Sequence, residues 1–349
     1  MTLPLSWVYG SLVRLRNHLY DRGWLRSTRP PVVTICVGNL STGGTGKTPF
    51  VEYLVNLLQA RYTIATLSRG YRRRTRGFLL AGPAHTAADI GDEPMQLHRK
   101  FPTLTVAVGE DRVSAISSLL EARPETALVI LDDAFQHRPV RAHLNILLTP
   151  YRQPYVCDSM LPAGNLRDHP ASASRADIVV VTKCPPDLST EDAEAYQKLL
   201  ALNSSKPLFF SHLAYSVSRD FQTWENCSLP SGASVLLVCG IANPDPLVRH
   251  LETTVGPVDI MAFRDHHPFS REDIELLRSR FERMAAELRV IVTTEKDAVR
   301  LEPYREWLSD LPVFVQPVAH AFMFSSAARF EGIIGIFMQA PVDGQAPGT

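Results

Sequence analysis

Lysine is scarce in this chain. Of its 349 residues, 36 are cationic, and only six of those are lysines against thirty arginines. Net charge is missing as well, because 36 acids balance the 36 cations. A general nucleic-acid coat protein is usually basic, so no nucleic-acid partner is expected. Cysteine is sparse, occurring at Cys36, Cys157, Cys184, Cys227 and Cys239. The number is odd, the spacings are wide and C-x-x-C is missing. That argues against a disulfide framework or a zinc site and fits a reducing cytosol. No apolar run reaches the ~18–20 residues of a membrane span, and no signal peptide is visible. What remains is an ordinary globular composition, 45% hydrophobic and 21% charged. At roughly 150 residues per domain, the length suits about two domains.

The arginines raise a question of their own. A GC-rich genome produces such a bias without function. Phosphate binding produces it with function, because the planar guanidinium fork grips phosphate better than an ammonium does. Two groups stand out, at residues 14–29 and 69–76. In the first, Leu5, Val8, Leu12, Leu15 and Leu19 form one helical stripe. Tyr9, Val13 and Tyr20 widen it, and Trp7 falls off it on the other side. Two placements fit residues 1–29. The helix could lie on an anionic membrane, or it could pack on its own domain with its arginines wet.

Downstream, short β-branched runs alternate with helical periodicity, which predicts an α/β fold with a mostly parallel, doubly wound sheet. From SVLLVCGIANP a second, smaller α/β unit begins. The expected layout is residues 30–206 as a first domain and 221–311 as the smaller one. Segments 207–220 and 312–320 would form an extended two-stranded connector. A C-terminal helix over 321–338 and a disordered tail over 339–349 would follow.

PVVTICVGN, then STGGTGKT, then PFVEYLVNLLQARY reads as strand, glycine loop and helix. This is the context of a P-loop NTPase-like nucleotide site. The loop comprises Ser41, Thr42, Gly43, Gly44, Thr45, Gly46, Lys47 and Thr48. It departs from G-x-x-x-x-G-K-[ST] only at Ser41. Its glycines let backbone N–H groups converge on a polyphosphate. Lys47 would reach the β- and γ-phosphates, and Thr48 would hold Mg²⁺. Asp132 and Asp133 close an apolar strand, as the acid of a Walker B site does. A helix cap at a βα turn is the plainer alternative for them. GDEP supplies Asp92 and Glu93, and Asp265-His266-His267 in the second unit could face the same cleft. Thr182-Lys183-Cys184-Pro185 stands where GTPases carry Asn-Lys-x-Asp, and it lacks the aspartate. ATP is therefore favoured over GTP.

VGNLSTGGTGKTP, LSRGYRRR, GDEP, VGEDR, LDDAFQHR, MLPAGNLRD, the DHHPF loop and TTEKDA occur in this order. Together they closely resemble the tetraacyldisaccharide 4′-kinase family, the lipid A 4′-kinases of Gram-negative bacteria. The resemblance implies transfer of the γ-phosphate of ATP to the 4′-hydroxyl of a tetraacylated glucosamine disaccharide 1-phosphate. By motif, Ser41 to Thr48 would bind ATP, with Lys47 central to catalysis. Asp92 would be the base for the hydroxyl, assisted by His266. Thr48, Asp132, Asp133 and Asp168 would organise Mg²⁺. Arg112 and Arg167 would contact phosphates, Gln136 and His137 the cleft, and Arg72 the substrate's anionic part. The family commonly has Leu-Arg-Glu where this chain has Leu166-Arg167-Asp168, a carboxylate shorter by one methylene. A lipid substrate favours the membrane placement of residues 1–29. The implied location is peripheral, on the cytoplasmic face of the inner membrane, with no obligate protein partner. The other reading is a P-loop ATPase driving a partner protein or metal insertion. Its deviant type carries a second lysine where Thr42 stands.

Overall fold

The computed structural model describes residues 3–202 and 205–339. The tail expected at 339–349 lies outside them, except for Gln339. Helix α1 (Leu3–Asp21) opens the chain, and it packs with its polar side inward. Ser6 Oγ accepts from the Ala163 amide at 2.9 Å. Tyr9 Oη donates to the Arg167 carbonyl at 3.0 Å, and Asn17 Nδ2 donates to Asp168 at 2.8 Å. The leucine stripe faces out: Leu5, Val8, Leu12 and Leu15 are all more than half exposed, and Trp7 is 77% exposed. Of the two placements open from sequence, burial of the stripe against its own domain is not what forms.

The first unit then builds outward from a central strand. In chain order it contains β1 (Val33–Asn39), α2 (Lys47–Leu58), β2 (Ile64–Ser68), β3 (Leu79–Leu80), α3 (Ala87–Ile90), α4 (Asp92–Lys100) and β4 (Thr105–Val108). It continues with α5 (Arg112–Ala122), β5 (Leu128–Asp132), β6 (Leu144–Pro150), β7 (Ile178–Thr182), α6 (Thr190–Leu200) and β8 (Leu208–Tyr215). The smaller unit holds β9 (Arg219–Asp220), β10 (Ser234–Cys239), α7 (Asp245–Thr254), β11 (Val258–Ala262), α8 (Arg271–Glu282), β12 (Arg289–Thr294), α9 (Glu295–Leu301) and β13 (Val313–Gln316). The chain returns through β14 (Val318–Phe322) to α10 (Ala327–Gln339).

The large sheet runs β14-β8-β7-β6-β1-β5-β2-β4-β3, and the small one β11-β10-β12-β13-β9. Pairing is parallel except at the edges, where β3 meets β4, β14 meets β8, and β9 meets β13. The expected two-sheet α/β architecture is therefore present. The connector is more than a bridge: residues 208–215 and 318–322 pair antiparallel and extend the large sheet. Strands buried on both faces need apolar residues throughout, as in the Ile-Val-Val-Val run of β7. On one face, Phe50, Phe209 and Phe330 are fully buried and pack edge to face, at 5.3–5.7 Å. Burying each such ring is worth about 1.5–3 kcal/mol.

The two units meet where α4 lies against α9. Ile90, Met95, Val108 and Val299 form a small apolar cluster there. Four ion pairs surround it: Lys100–Glu295, Lys296–Glu93, Arg300–Asp92 and Arg99–Glu302. Lys100 also binds Glu52 of the loop-following helix α2, at 2.7 Å. A buried lysine thus ties the nucleotide-loop helix, α4 and the second unit together.

Candidate active site

The site lies at the carboxyl ends of β1 and β5, at the sheet's centre, where strand order reverses and ligands of open α/β sheets bind. Gly46 sits at the head of α2 with φ +83°, a left-handed turn that glycine adopts without a Cβ penalty. Two buried side chains hold the loop's carbonyls outward. Thr182 Oγ1 donates to Thr45 O at 2.8 Å, and His320 Nε2 lies 2.9 Å from Gly46 O. A carbonyl only accepts, so Nε2 carries the proton, and His320 Nδ1 is left to accept from Ser211 Oγ. Burial holds the His320 pKa down at about 4, so the ring stays neutral. With its carbonyls turned away, the loop can present N–H groups to an anion.

Asn39, at the end of β1, is a hub. Its Oδ1 accepts from Lys47 Nζ at 3.2 Å and from Arg167 Nη2 at 2.6 Å. Its Nδ2 donates to Ser41 O, and its carbonyl accepts from Gln136 Nε2. Asp133 binds Arg167 through both carboxylate oxygens, at 2.7 and 3.0 Å, with Lys47 at 3.7 Å. Burial opposes its charge, but Lys47 and Arg167 outweigh burial and hold its pKa near about 2. Asp132 is the opposite case. Burial and the neighbouring Asp133 charge push its pKa up to about 7. Its Oδ1 is buried without a hydrogen-bond partner. An orphaned buried carboxylate oxygen beside a phosphate loop fits a divalent cation.

Buried Arg112 faces both aspartates. Its backbone amide donates to His137 Nε2 at 3.4 Å. Burial, then the Arg112 charge, lowers the His137 pKa to about 4, which leaves that nitrogen free to accept.

Asp92 is the first residue of α4. Gly91 before it takes φ +97°, and a β-carbon there would stand 3.1 Å from the Tyr71 carbonyl. That turn therefore requires glycine. Asp92 Oδ2 lies 2.8 Å from His266 Nδ1, joining the two units. The Tyr71 ring packs edge-on against His266, and the Arg72 guanidinium lies over Tyr71. Arg72, Asp133, Lys183 and His266 all have left-handed backbones without being glycine. Such conformations cost energy and gather where a site needs a side chain aimed.

The structure therefore brings together Lys47, Asp132, Asp133, Arg112, Arg167, Gln136 and His137 around the loop. It pairs Asp92 with His266, with Arg72 beside them. It does not bring Asp168 to the metal set. That carboxylate is buried and spent on Arg175 at 2.6 Å and on Asn17 and Ser172 at 2.8 Å. Only its backbone reaches the loop, through Leu40. Asp133, expected on the metal, is likewise engaged by Arg167. The Thr294–Asp297 segment caps α9. Sequence reasoning gave no site role to Asn39, Arg300 or His320, and it used Thr182 only to favour ATP over GTP. Asn39 and Thr182 stood inside quoted motifs at strand ends, which was the available signal.

A family model described as tetraacyldisaccharide-1-P 4′-kinase matches residues 1–334. The chain belongs to the tetraacyldisaccharide 4′-kinase family. The tetraacyldisaccharide 4′-kinase of Bacteroides thetaiotaomicron is 45% identical over 325 residues, covering 89% of this chain and 85% of its own. The Bacteroides fragilis protein of that name is 42% identical over 355 residues, covering 99% and 94%. Among solved structures, Aquifex aeolicus LpxK in complex with ATP superposes with a TM-score of 0.76 at 28% identity. That match covers 96% of this chain and 98% of the other. The 4′-kinase fold therefore extends across both units. No finding favours the partner-driving ATPase.

Proposed function

We propose that this chain is an ATP-dependent tetraacyldisaccharide 4′-kinase, phosphorylating the 4′-hydroxyl of tetraacyl glucosamine disaccharide 1-phosphate. The observation that carries this reading is the Asp92–His266 pair, which joins the two units in a chain that also carries a phosphate loop. The loop from Ser41 to Thr48 receives the ATP phosphates, with Lys47 on the β- and γ-groups. Thr48 and Asp132 are the residues suited to hold Mg²⁺, and the bound ion would neutralise charge on the polyphosphate. Asp133 instead fixes Lys47 and Arg167. Arg112, Arg167, Gln136 and His137 line the phosphate side, and Arg72 meets the substrate's anionic part.

Asp92 takes the proton of the 4′-hydroxyl as its oxygen bonds to the γ-phosphorus. The bond to the bridging oxygen breaks, and ADP leaves. His266 holds the base in place and belongs to the smaller unit, so residues 30–206 carry the nucleotide and 221–311 complete the site on closure. Asp168 holds α1 against the site rather than binding metal. The outward leucines and tryptophan of α1, with Arg22 and Arg26 exposed just beyond the helix, suit the surface of an anionic bilayer. Among the described residues no helix is long and apolar enough to cross a membrane. Peripheral attachment at the cytoplasmic face of the inner membrane follows from an anionic lipid substrate and ATP.

Detergent-solubilised substrate, ATP and Mg²⁺ give the test. Asp92→Asn is expected to lose turnover by ~10²–10⁴-fold, the size of a general-base contribution. Native turnover in folded Asp92→Asn would remove Asp92 from that role.

A further inference from the structure

The TTEKDA segment opens α9, where Thr294 and Asp297 cap the helix. Its neighbourhood indicates another role. Arg300, on the same helix and 5% exposed, reaches across the unit boundary to Asp92. Both its Nε, at 2.9 Å, and its Nη2, at 2.6 Å, donate to Asp92 Oδ2. This is the same oxygen that faces His266 Nδ1. Arg300 is itself fixed, since its Nη1 donates to Asp297 Oδ1 at 2.9 Å. Asp297 is in turn fixed, because Oδ2 accepts from the Gly240 amide and from Thr294 Oγ1. Among the described residues, no hydrogen bond is made to Asp92 Oδ1. One oxygen is thus saturated by the second unit, and the other is left for a reacting group.

Lys296, one turn earlier, settles the histidine. Its Nζ lies 2.9 Å from His266 Nε2. An ammonium only donates, so Nε2 accepts and the ring proton sits on Nδ1, where the 2.8 Å bond to Asp92 prevails over the longer, 3.2 Å approach of Arg300 Nη2 to the same nitrogen. The opposite tautomer would set an N–H against the ammonium and a lone pair against the carboxylate. Lys296 also contacts Asp265 at 3.2 Å and Glu93 at 3.6 Å, which orient it.

We propose that Arg300 and Lys296 are the positioning pair of the phosphoryl transfer. Arg300 immobilises Asp92 so that Oδ1 faces the sugar hydroxyl, and Lys296 fixes the His266 tautomer. This rests on the reading of Asp92 as the base. Both residues come from the smaller unit, so the base is aimed only when α9 lies on α4. His266 and Arg300 touch Asp92 directly; around them stand Asp265 and Lys296 against His266, Asp297 against Arg300, and Glu93 against Lys296. Burial raises the Asp92 pKa, and the bonds from His266 and Arg300 outweigh burial, bringing it down to about 2. Removing the guanidinium therefore shifts the carboxyl upward.

The experiment compares Arg300→Gln, Arg300→Lys, Lys296→Met and Asp92→Asn in the full chain, measuring kcat, KM for ATP and the pH profile. Arg300→Gln is expected to lower kcat by ~10-fold or more through misaimed reactants, with KM for ATP unchanged. An acid limb should also emerge, because the carboxyl, then held by His266 alone, titrates at a higher pH than in the native enzyme. Arg300→Lys should restore part of both losses, and Lys296→Met should lower kcat without moving that limb. A fall in kcat with no acid limb, or no fall at all in Arg300→Gln, overturns the proposal. Should Arg300→Gln not fold, Arg300→Lys and Lys296→Met both matching the native kcat and profile overturn it. Asp92→Asn separates the two readings. If it retains turnover, the base assignment fails. If it is inactive while Arg300→Gln is native-like, only the positioning proposal fails.

Discussion

At the residue scale, the scarcity of lysine turns out to be informative. Of the six, Lys47 reaches the phosphate side, Lys183 Nζ lies beside Gly44, Lys100 sits in the buried junction, and Lys296 meets the histidine of the dyad. His320 is the least conspicuous residue of the site. Its bond to Gly46 O shapes the loop without touching ligand. His320→Ala is therefore expected to raise KM for ATP by ~5-fold, one lost hydrogen bond of about 1 kcal/mol, while kcat stays within about twofold. Steady-state kinetics over ATP concentration checks this; an unchanged KM would exclude the role. Lys47, Asp92, Asp132 and His266 were legible in the sequence because motif and residue type point the same way. Asn39, Arg300 and His320 were not. Each is an ordinary residue type whose meaning comes from a partner 8 to 274 positions away. Asp168 misled for the converse reason: its backbone borders the loop while its side chain turns toward α1.

At the element scale, α1 is an amphipathic helix docked by its polar face. Periodicity revealed the leucine stripe, but it could not tell which face the domain would take. That choice depends on Ser6, Tyr9 and Asn17 finding partners in residues 163–172. Burying the exposed leucines in a bilayer is favourable by about 1.5–3 kcal/mol each. The double variant Leu12→Ser with Leu15→Ser is expected to cut sedimentation with anionic vesicles by at least tenfold. Turnover on detergent-dispersed substrate should stay near native. Unchanged sedimentation of this folded variant would remove α1 from membrane attachment. Helix α9 makes the complementary point. Its cap, Thr294 with Asp297, was readable from spacing. Its packing against α4 was not, because ion pairs across a unit boundary leave no periodic trace in either segment.

At the scale of the whole molecule, the alternation of strands and helices made both sheets and their doubly wound order foreseeable. The edges were less so. The connector strands β8 and β14 were expected as a bridge, yet they complete the large sheet and carry His320 to the loop. Strand β14 thereby joins the segment returning from the smaller unit to the nucleotide loop. The neutral total charge hides local groups: arginines cluster at residues 14–29 and 69–76, while Asp92, Glu93, Glu295 and Asp297 gather at the unit junction. The central claim is that both units together deliver the γ-phosphate of ATP to one hydroxyl of an anionic disaccharide lipid. The most direct measurement supplies γ-labelled ATP, Mg²⁺ and the disaccharide 1-phosphate, and locates the label by phosphorus NMR of the extracted lipid. Label on the 4′-oxygen, absent with Asp92→Asn, is the expected result; release of the label as inorganic phosphate with no lipid product would contradict the claim.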